Sequence, residues 1–299
     1  MSAETHFKEW AKPGPIPPGL GANFAFARDG KNDLAEMALG ASLRIEPAET
    51  LDAISGHFRL FQLTDGHRFS TDDILTAWYG TSWCPSARTA LDLGSGLGTV
   101  GMICAWRLVG ARFVTIEVQP ESVALSKKSA CYNGLADRYE IRAGDFRKSG
   151  VLHDTEKFDL VTGSPPYYAP EAGVKSEHFQ KVACRFELRG TVVDYCSTAA
   201  KHLAPGGFFA CVFPIEPAQL ARVESGARAA GLVIVRKRAV IFREGDPPLI
   251  GLFGMMRKDD LPNWFRGQTW EEPPLIIRMR DGKIHPEYSA VKLAIGFPP

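Results

Sequence analysis

From residue 89 onward the chain repeats one order of elements: a short apolar strand, a turn rich in glycine or small polar residues, and a helix. TALDL (89–93) runs into the turn GSGLG (94–98), and a helix is predicted from about Thr99 to Leu108. Strands that alternate with helices in this way form a mainly parallel sheet with helices on both faces. The pattern therefore predicts an α/β, Rossmann-like fold.

Seven strands are predicted for this sheet. They cover residues 89–93, 112–118, 139–143, 158–163, 208–213, 232–242 and 248–257. The last two are joined by a short connection, which favours an antiparallel hairpin at the end of an otherwise parallel sheet.

The first 50 residues differ in character from the rest. They contain AKPGPIPPGLG (11–21), whose prolines and glycines are typical of an extended, poorly ordered segment. Residues 1–50 are therefore predicted to be a partly disordered arm, with one short helix over 32–39. Residues 51–295 are predicted to form a single folded domain.

Composition excludes several classes of protein. A chain of 299 residues that is 45% hydrophobic and 23% charged can bury a sizeable core, which excludes global disorder. Lys and Arg number 35 against 34 Asp and Glu, so the net charge is +1 and a nucleic-acid partner would need a local basic patch. The six cysteines form no CxxC pair and predict neither disulfides nor a metal site. No signal peptide or membrane span is predicted, so we expect a cytoplasmic protein, by default a monomer, with no membrane partner.

The glycine turn predicts a cofactor site. Gly94, Gly96 and Gly98 follow a strand and open a helix, and glycine permits both positive φ and close approach of a ligand to the backbone. Glu117 ends the next strand, roughly 20 residues on, where an acid can accept hydrogen bonds from ribose hydroxyls. The spacing G-x-G-x-G is shorter than the dinucleotide fingerprint and suits S-adenosylmethionine, which has no pyrophosphate. The alternative is a tight strand-to-helix turn without a ligand.

Three further residues are candidates for cofactor contacts. Asp92, before the turn, can bind the cofactor's ammonium group directly or through water. Asp145 follows the third strand and can accept a hydrogen bond from the adenine amino group, on whose ring Phe146 can pack. The alternatives are a helix cap for each aspartate and a place in the core for the phenylalanine.

The tetrapeptide Ser164-Pro165-Pro166-Tyr167 carries the catalytic hypothesis. It follows a strand at the carboxyl edge of the predicted sheet, where ligands bind in open α/β folds. Two prolines remove two backbone N–H donors, so the serine hydroxyl and main-chain carbonyls remain as acceptors for an exocyclic amine. Tyr167 offers a flat surface for a planar substrate. The alternative is a Pro-Pro turn beside a core aromatic residue.

These motifs together resemble the class I S-adenosylmethionine-dependent methyltransferases with an Asn/Asp/Ser-Pro-Pro-Tyr/Phe signature. More narrowly, the chain resembles the bacterial tRNA adenine-N6 methyltransferases that modify a valine tRNA beside its anticodon. The resemblance covers roughly residues 51–295. It rests on DGHRFSTDDILTAWY (65–79), LDLGSGLGTVG (91–101), IEVQPESVALSKKSACYNGLADR (116–138), GDFR (144–147), FDLVTGSPPYY (158–168), CRFELRGTVVDYCSTAAKHLAPGGFF (184–209) and PPLIIRMRDGKIHPEYSA (273–290). It implies the class I methyltransferase fold, S-adenosylmethionine as cofactor and RNA, most readily tRNA, as partner.

One position departs from that tRNA family, which usually has Asn where this chain has Ser164. The Ser form resembles amino-methyltransferases that act on cytosine N4 in DNA. The function expected is methylation of an exocyclic amine, adenine N6 in tRNA or another structured RNA. The alternatives are another nitrogen (cytosine N4, guanine N2 or a protein glutamine amide) and a module that binds S-adenosylmethionine and RNA but has lost catalysis.

Basic residues outside these motifs suggest where RNA phosphates would bind. Residues 168–183 are predicted to be a loop that closes over the substrate. The cations expected around the mouth of the site are Lys175, Lys181, Arg185, Arg189, Arg236, Lys237, Arg238, Arg243, Arg278, Arg280 and Lys283. For each of them the alternative is a solvated charged surface.

Overall fold

The computed structural model describes residues 5–6, 10–20, 43, 45–167 and 190–299, and the helix predicted over residues 32–39 lies outside them. The strands in chain order are β1 (Thr5–His6), β2 (Trp10–Ala11), β3 (Glu49–Ala53), β4 (Arg59–Leu63), β5 (Thr89–Leu93), β6 (Arg112–Glu117), β7 (Tyr139–Ala143), β8 (Phe158–Gly163), β9 (Leu203–Pro214), β10 (Leu232–Arg243), β11 (Ile250–Arg257) and β12 (Trp270–Arg278). The α-helices are α1 (Thr71–Trp83), α2 (Thr99–Arg107), α3 (Pro120–Tyr132), α4 (Val192–His202), α5 (Pro217–Ala229) and α6 (Pro286–Ala294).

Eight of these strands form one sheet in the order β12-β10-β11-β9-β8-β5-β6-β7. Strands β5 to β9 pair in parallel, whereas β11 is antiparallel to both β9 and β10. The predicted α/β fold with an antiparallel hairpin is therefore confirmed.

The sheet has one strand more than the seven predicted. The additional strand, β12, lies at the edge of the sheet, parallel to β10. Its prolines, Pro273 and Pro274, argue against a strand in the sequence because proline cannot donate to a ladder. They are tolerated here because they occupy an edge strand, at a shift of register between the pairs Arg238–Glu272 and Val240–Leu275.

The core consists of two apolar clusters. One contains the buried residues of α1, α2, α3 and α6, and the other contains those of α4 and α5. Strand β9 lies between them, and its run Phe208–Phe213 is buried throughout. Such a continuous apolar run is typical of a strand covered on both faces. None of the helices in the described ranges is long and apolar enough to span a membrane.

Helix α1 begins at a capping motif in the sequence, Ser70-Thr71-Asp72-Asp73. Ser70 is its N-cap, and the Ser70 amide donates to the Asp73 carboxylate at 2.8 Å in a capping box. This cap places the first turn of α1, with Asp72 and Asp73, beside the carboxyl ends of the parallel strands.

The segment 10–20 packs on the domain. A Cβ added at Gly14 would lie 2.5 Å from the Trp106 indole nitrogen, and one at Gly19 would lie 2.4 Å from the Tyr132 ring. The glycines therefore let this segment approach both aromatic rings closely. The division of the chain at residue 50 stays a prediction.

Three of the predicted phosphate-binding cations have a different role. Arg236, Lys237 and Arg238 on β10 all pair with carboxylates, and both arginines are buried. The pairs are Arg236 with Glu272, Lys237 with Glu271 and Arg238 with Glu287. The prediction that these residues form a basic rim is wrong, because their charges attach β12 and α6 to β10.

We predict that Arg236→Ala destabilises the protein strongly. The guanidinium donates to both Glu272 oxygens, at 2.8 and 2.6 Å, and the two side chains are only 9% and 8% exposed. Removing one member of a buried ion pair typically costs about 3–5 kcal/mol. Urea denaturation should show a loss of this order.

Lys237→Ala is the matched control, because its partner Glu271 is 69% exposed. An exposed pair contributes about 0–1 kcal/mol. Equal losses for the two variants would contradict a special role for the buried pair.

Candidate functional site

A cavity of about 710 Å³ opens at the edge of the sheet where the parallel strands end. Ligands bind at this edge in open α/β sheets. Its walls come from the start of α1, the glycine turn, the end of β6, the segment after β7, the tetrapeptide after β8, and α4. The residues that line it include Arg68, Asp72, Asp73, Gly94, Gly96, Glu117, Asp145, Phe146, Ser164, Pro165, Pro166, Tyr167 and Tyr195.

The glycine turn leaves space in the cavity. Gly94 and Gly96 line it, with φ of +59° and +54°, a region that favours glycine. A Cβ at Gly96 would meet nothing within 4 Å, whereas one at Gly94 would lie 2.1 Å from the Tyr195 hydroxyl. Gly98 is the N-cap of α2 and is not among the lining residues. A ligand therefore has open access to the backbone at Gly96.

Glu117 lies in the cavity wall with its carboxylate held in place. One oxygen accepts from the Gly96 amide at 2.9 Å, and the other accepts from the Gln119 amide at 2.7 Å. The side chain is buried. Each carboxylate oxygen has more than one acceptor site, so both can accept a further hydrogen bond from a diol.

Asp92 is buried and is not among the lining residues. One carboxylate oxygen accepts from the Gly101 amide at 3.1 Å, and the other accepts from the Thr162 hydroxyl at 2.8 Å. These bonds tie the end of β5 to α2 and β8. Burial raises the pKa of Asp92 to about 7. Contact with a cofactor ammonium stays a prediction.

Asp145 and Phe146 both line the cavity. The Asp145 carboxylate pairs with the Arg147 guanidinium at 2.6 Å, and this hydrogen-bonded pair lowers the pKa of Asp145. It also accepts from the Arg147 amide at 3.0 Å, which closes the local turn. Phe146 packs edge-on against Tyr195, with ring centroids 4.8 Å apart. Both residues lie where the adenine contact was predicted.

Ser164, the first residue of the tetrapeptide after β8, lines the cavity and has a buried hydroxyl. The Ser164 Oγ atom is buried and has no hydrogen-bond partner among the described residues. Pro165 and Pro166 are buried beside it and contribute no N–H donor. A buried polar atom without a partner costs free energy unless a ligand or water satisfies it. This hydroxyl is therefore suited to a polar ligand in the cavity.

Tyr167 joins the tetrapeptide to α1. Its hydroxyl donates to the Asp72 carboxylate at 2.5 Å, and its ring packs edge-on against Phe213 at 5.7 Å. Its carbonyl accepts from the Gln219 side chain at 3.1 Å. The ring is thus held in the cavity wall by contacts with three elements.

Asp72, Asp73 and Tyr195 line the cavity but were not predicted as site residues. Burial raises the pKa of Asp72, and it raises the pKa of Asp73 to about 7. The two acids follow Ser70 in the first turn of α1, where acids are typical of a capped helix, so their positions alone do not indicate a ligand site. Tyr195 carried none, because only the fold brings its ring against Gly94 and Gly163.

The charge of the cavity wall favours a cationic ligand. Four carboxylates line it, from Asp72, Asp73, Glu117 and Asp145. The lining arginine, Arg68, is already paired with Asp52 at 2.8 Å, and Arg147, outside the lining, offsets the charge of Asp145. A ligand that carries positive charge would relieve repulsion among these acids.

Some of the predicted substrate contacts lie outside the described residues. These are the loop over 168–183 and the cations Lys175, Lys181, Arg185 and Arg189.

Comparison with known proteins agrees with this geometry. Residues 81–214 match the model of the methyltransferase small domain family. A tRNA1(Val) (adenine(37)-N6)-methyltransferase of Porphyromonas gingivalis is 28% identical over 151 residues, which is 49% of this chain and 58% of that protein. The chain thus spans less than two thirds of that relative's length. The enzyme of the same name from Histophilus somni is 25% identical over 229 residues, 75% of this chain and 88% of that protein.

The fold has a solved counterpart. The structure of a predicted O-methyltransferase from Agrobacterium tumefaciens aligns with a TM-score of 0.56 at 18% identity, covering 76% of this chain and 98% of that one. At this identity the likeness concerns the fold alone. The resemblance inferred from the glycine turn and the Ser-Pro-Pro-Tyr motif is confirmed. Over residues 81–214 the chain is therefore similar to the methyltransferase small domain family, and the class I methyltransferases that it resembles use S-adenosylmethionine as methyl donor.

Proposed function

We propose that this protein methylates an exocyclic amine, adenine N6 in tRNA or another structured RNA, with S-adenosylmethionine as methyl donor. The observation that carries the proposal is the buried, unpartnered Ser164 hydroxyl beside two prolines, in the wall of a cavity lined with carboxylates. The carboxylates suit a cationic cofactor, and the Ser164 hydroxyl suits the N–H donor of an amine substrate.

The cavity residues fit the cofactor. Glu117 would hold the ribose hydroxyls, and Asp145 with Phe146 would hold the adenine. These contacts are the ones predicted from the positions of the three residues at the end of β6 and after β7. Asp73, at the start of α1, would hold the ammonium group, because Asp92 is not in the wall and the Asp72 carboxylate already accepts from Tyr167. When bound, S-adenosylmethionine supplies an electrophilic methyl group on a sulfonium.

The tetrapeptide fits the amine. The Ser164 hydroxyl and the carbonyls of the proline segment would accept its two N–H groups, which draws the nitrogen lone pair out of conjugation with the ring. Tyr167 would support the plane of the base, which must leave its stack to reach the cavity. Catalysis then rests mainly on positioning. The bond between methyl and sulfur would break as the nitrogen–methyl bond forms, the neutral thioether would leave, and the methylated amine would lose its proton to solvent.

The relatives support RNA as the substrate class. Those from Porphyromonas and Histophilus are named for adenine-N6 methylation of tRNA, a substrate that also fits the expected cytoplasmic location. Ser164 in place of the usual Asn has a hydroxyl that reaches about one bond less far. Because the serine hydroxyl still accepts a hydrogen bond, the proposed reaction, methylation of an exocyclic amine, is retained. Adenine as the target base is a more specific proposal, which rests on the relatives.

The experiment is transfer of labelled methyl from S-adenosylmethionine into RNA, DNA and protein, followed by nucleoside analysis of the labelled fraction. The proposal predicts N6-methyladenosine in RNA. Label in N4-methylcytosine, N2-methylguanosine or methylglutamine would show that the protein methylates that nitrogen instead of adenine N6. Cofactor binding without transfer to any substrate would identify a decayed binding module instead.

We predict that Ser164→Ala lowers kcat by about 10²–10³-fold, the range found when one positioned polar group is removed from an active site. Binding of S-adenosylmethionine, measured by calorimetry, should change little. Ser164→Asn, which restores an acceptor, is the companion variant and should recover part of the activity. Unchanged turnover in Ser164→Ala would remove the hydroxyl from the reaction.

We predict that Glu117→Ala weakens S-adenosylmethionine binding by about 10–100-fold, because a charged acceptor of two hydrogen bonds is lost. Glu140→Ala is the control, since this glutamate is exposed on the neighbouring strand β7. Equal cofactor affinity in the wild type and Glu117→Ala would exclude the ribose contact.

We predict that cofactor affinity rises with pH through about 7. Burial holds Asp73 partly protonated near pH 7 in the free protein, and a bound cation favours its ionised form. Binding therefore releases protons, and the dissociation constant should fall between pH 6 and pH 8 (about one unit on either side of 7). Asp73→Asn should flatten this dependence, whereas an unchanged slope would exclude Asp73. The contribution of Asp92, whose pKa is also raised to about 7, would remain.

A further inference from the structure

A group of cations lies at the ends of β10 and β12 and on α6. Arg243 and Arg278 are exposed and stand directly opposite each other in the register of these parallel strands. The Arg280 guanidinium lies over the turn that follows β10, with its atoms 3.7–3.9 Å from the Cβ position of Gly245. Lys292 on α6 is half-buried near Arg278. We call these four residues the C-terminal basic cluster.

The three arginines of this cluster have no carboxylate partner among the described residues. The Arg278 guanidinium donates to the Gly282 carbonyl at 3.0 Å. Three acids lie near the cluster: Asp281 pairs with Lys283, Glu244 accepts a hydrogen bond from the Arg280 backbone amide, and Asp246 is exposed in the turn after β10. This contrasts with Arg236, Lys237 and Arg238 on the same strand β10, each of which has a carboxylate.

Holding these like charges together is unfavourable without an anion. Arginines at paired positions of adjacent strands repel each other. Burial and the nearby Arg278 charge both lower the pKa of Lys292, which indicates the same crowding of positive charge. The cluster is therefore poised for an anionic ligand.

Tyr288 connects the C-terminal basic cluster to the start of α1, whose first turn lines the cavity. Tyr288 on α6 hydrogen-bonds to Thr71 at the start of α1, and both Asp72 and Arg278 act electrostatically on its hydroxyl. Asp72 lines the cavity and holds the Tyr167 hydroxyl. A polynucleotide whose target base occupied the Tyr167 side of the cavity would thus carry its flanking phosphates towards the cluster.

We propose that the C-terminal basic cluster binds the phosphates of the RNA strand that flanks the target base. The inference rests on the proposed function, since it assumes an RNA substrate for the same cavity. Arginine suits this role because its planar fork binds phosphate oxygens in pairs.

The test is a triple variant, Arg243→Gln, Arg278→Gln and Arg280→Gln, assayed with unmodified tRNA made by transcription. We expect the tRNA dissociation constant and KM to rise about tenfold or more, with kcat and cofactor affinity unchanged. The slope of log affinity against log salt should fall by about 2, as for three phosphate contacts on a single strand.

The matched control removes three exposed cations elsewhere: Arg112→Gln, Lys127→Gln and Arg228→Gln. Its tRNA affinity should stay near that of the wild type. Equal losses in the two triple variants, an unchanged KM in the cluster variant, or a wild type that does not bind tRNA would overturn the proposal. A wild type that binds tRNA through the cluster but methylates no RNA would contradict the proposed function and leave the cluster intact.

Discussion

The site depends on the parallel pairing of β5 with β6 and β8. Parallel register brings the carboxyl ends of these strands to one edge, so the glycine turn, Glu117 and Ser164 meet there although 70 residues separate the first from the last. The two amide bonds to Glu117 secure this arrangement, because they tie the end of β6 to the turn after β5 and to the start of α3. A shift of register would separate the groups that have to act together.

The paired charges on β10 stabilise the fold, whereas the charges of the cavity and of the C-terminal basic cluster are the ones proposed to bind ligands. On β10, cations are buried against carboxylates and attach the edge strand, and Arg236 also lies over the rings of Tyr79 and Trp83. In the cavity four carboxylates gather, one of which (Asp145) is paired with Arg147, and burial raises the pKa of Asp73. A net charge of +1 is thus compatible with two regions of opposite sign, an acidic cavity and a basic cluster at the ends of β10 and β12.

Many of the residues that line the cavity were predictable from the sequence, because they stand in short motifs. Gly94 and Gly96, Glu117, Asp145 and the tetrapeptide are each recognisable from residues near them in the chain, and all of them line the cavity. The partners of Arg236 and Arg238 were not predictable, because they lie on β12 and α6, at least 36 residues away. For the same reason, sequence alone did not place Asp92 outside the cavity wall or Tyr195 inside it.

The central claim is that the cavity holds the methyl donor with its ribose on Glu117 and its sulfur near Ser164. The most direct measurement is a crystal structure of the protein with S-adenosylhomocysteine. The account predicts both ribose hydroxyls within about 3 Å of the Glu117 carboxylate and the sulfur closer to Ser164 than to Asp145. Density for the ligand elsewhere, or a ribose turned away from Glu117, would contradict it.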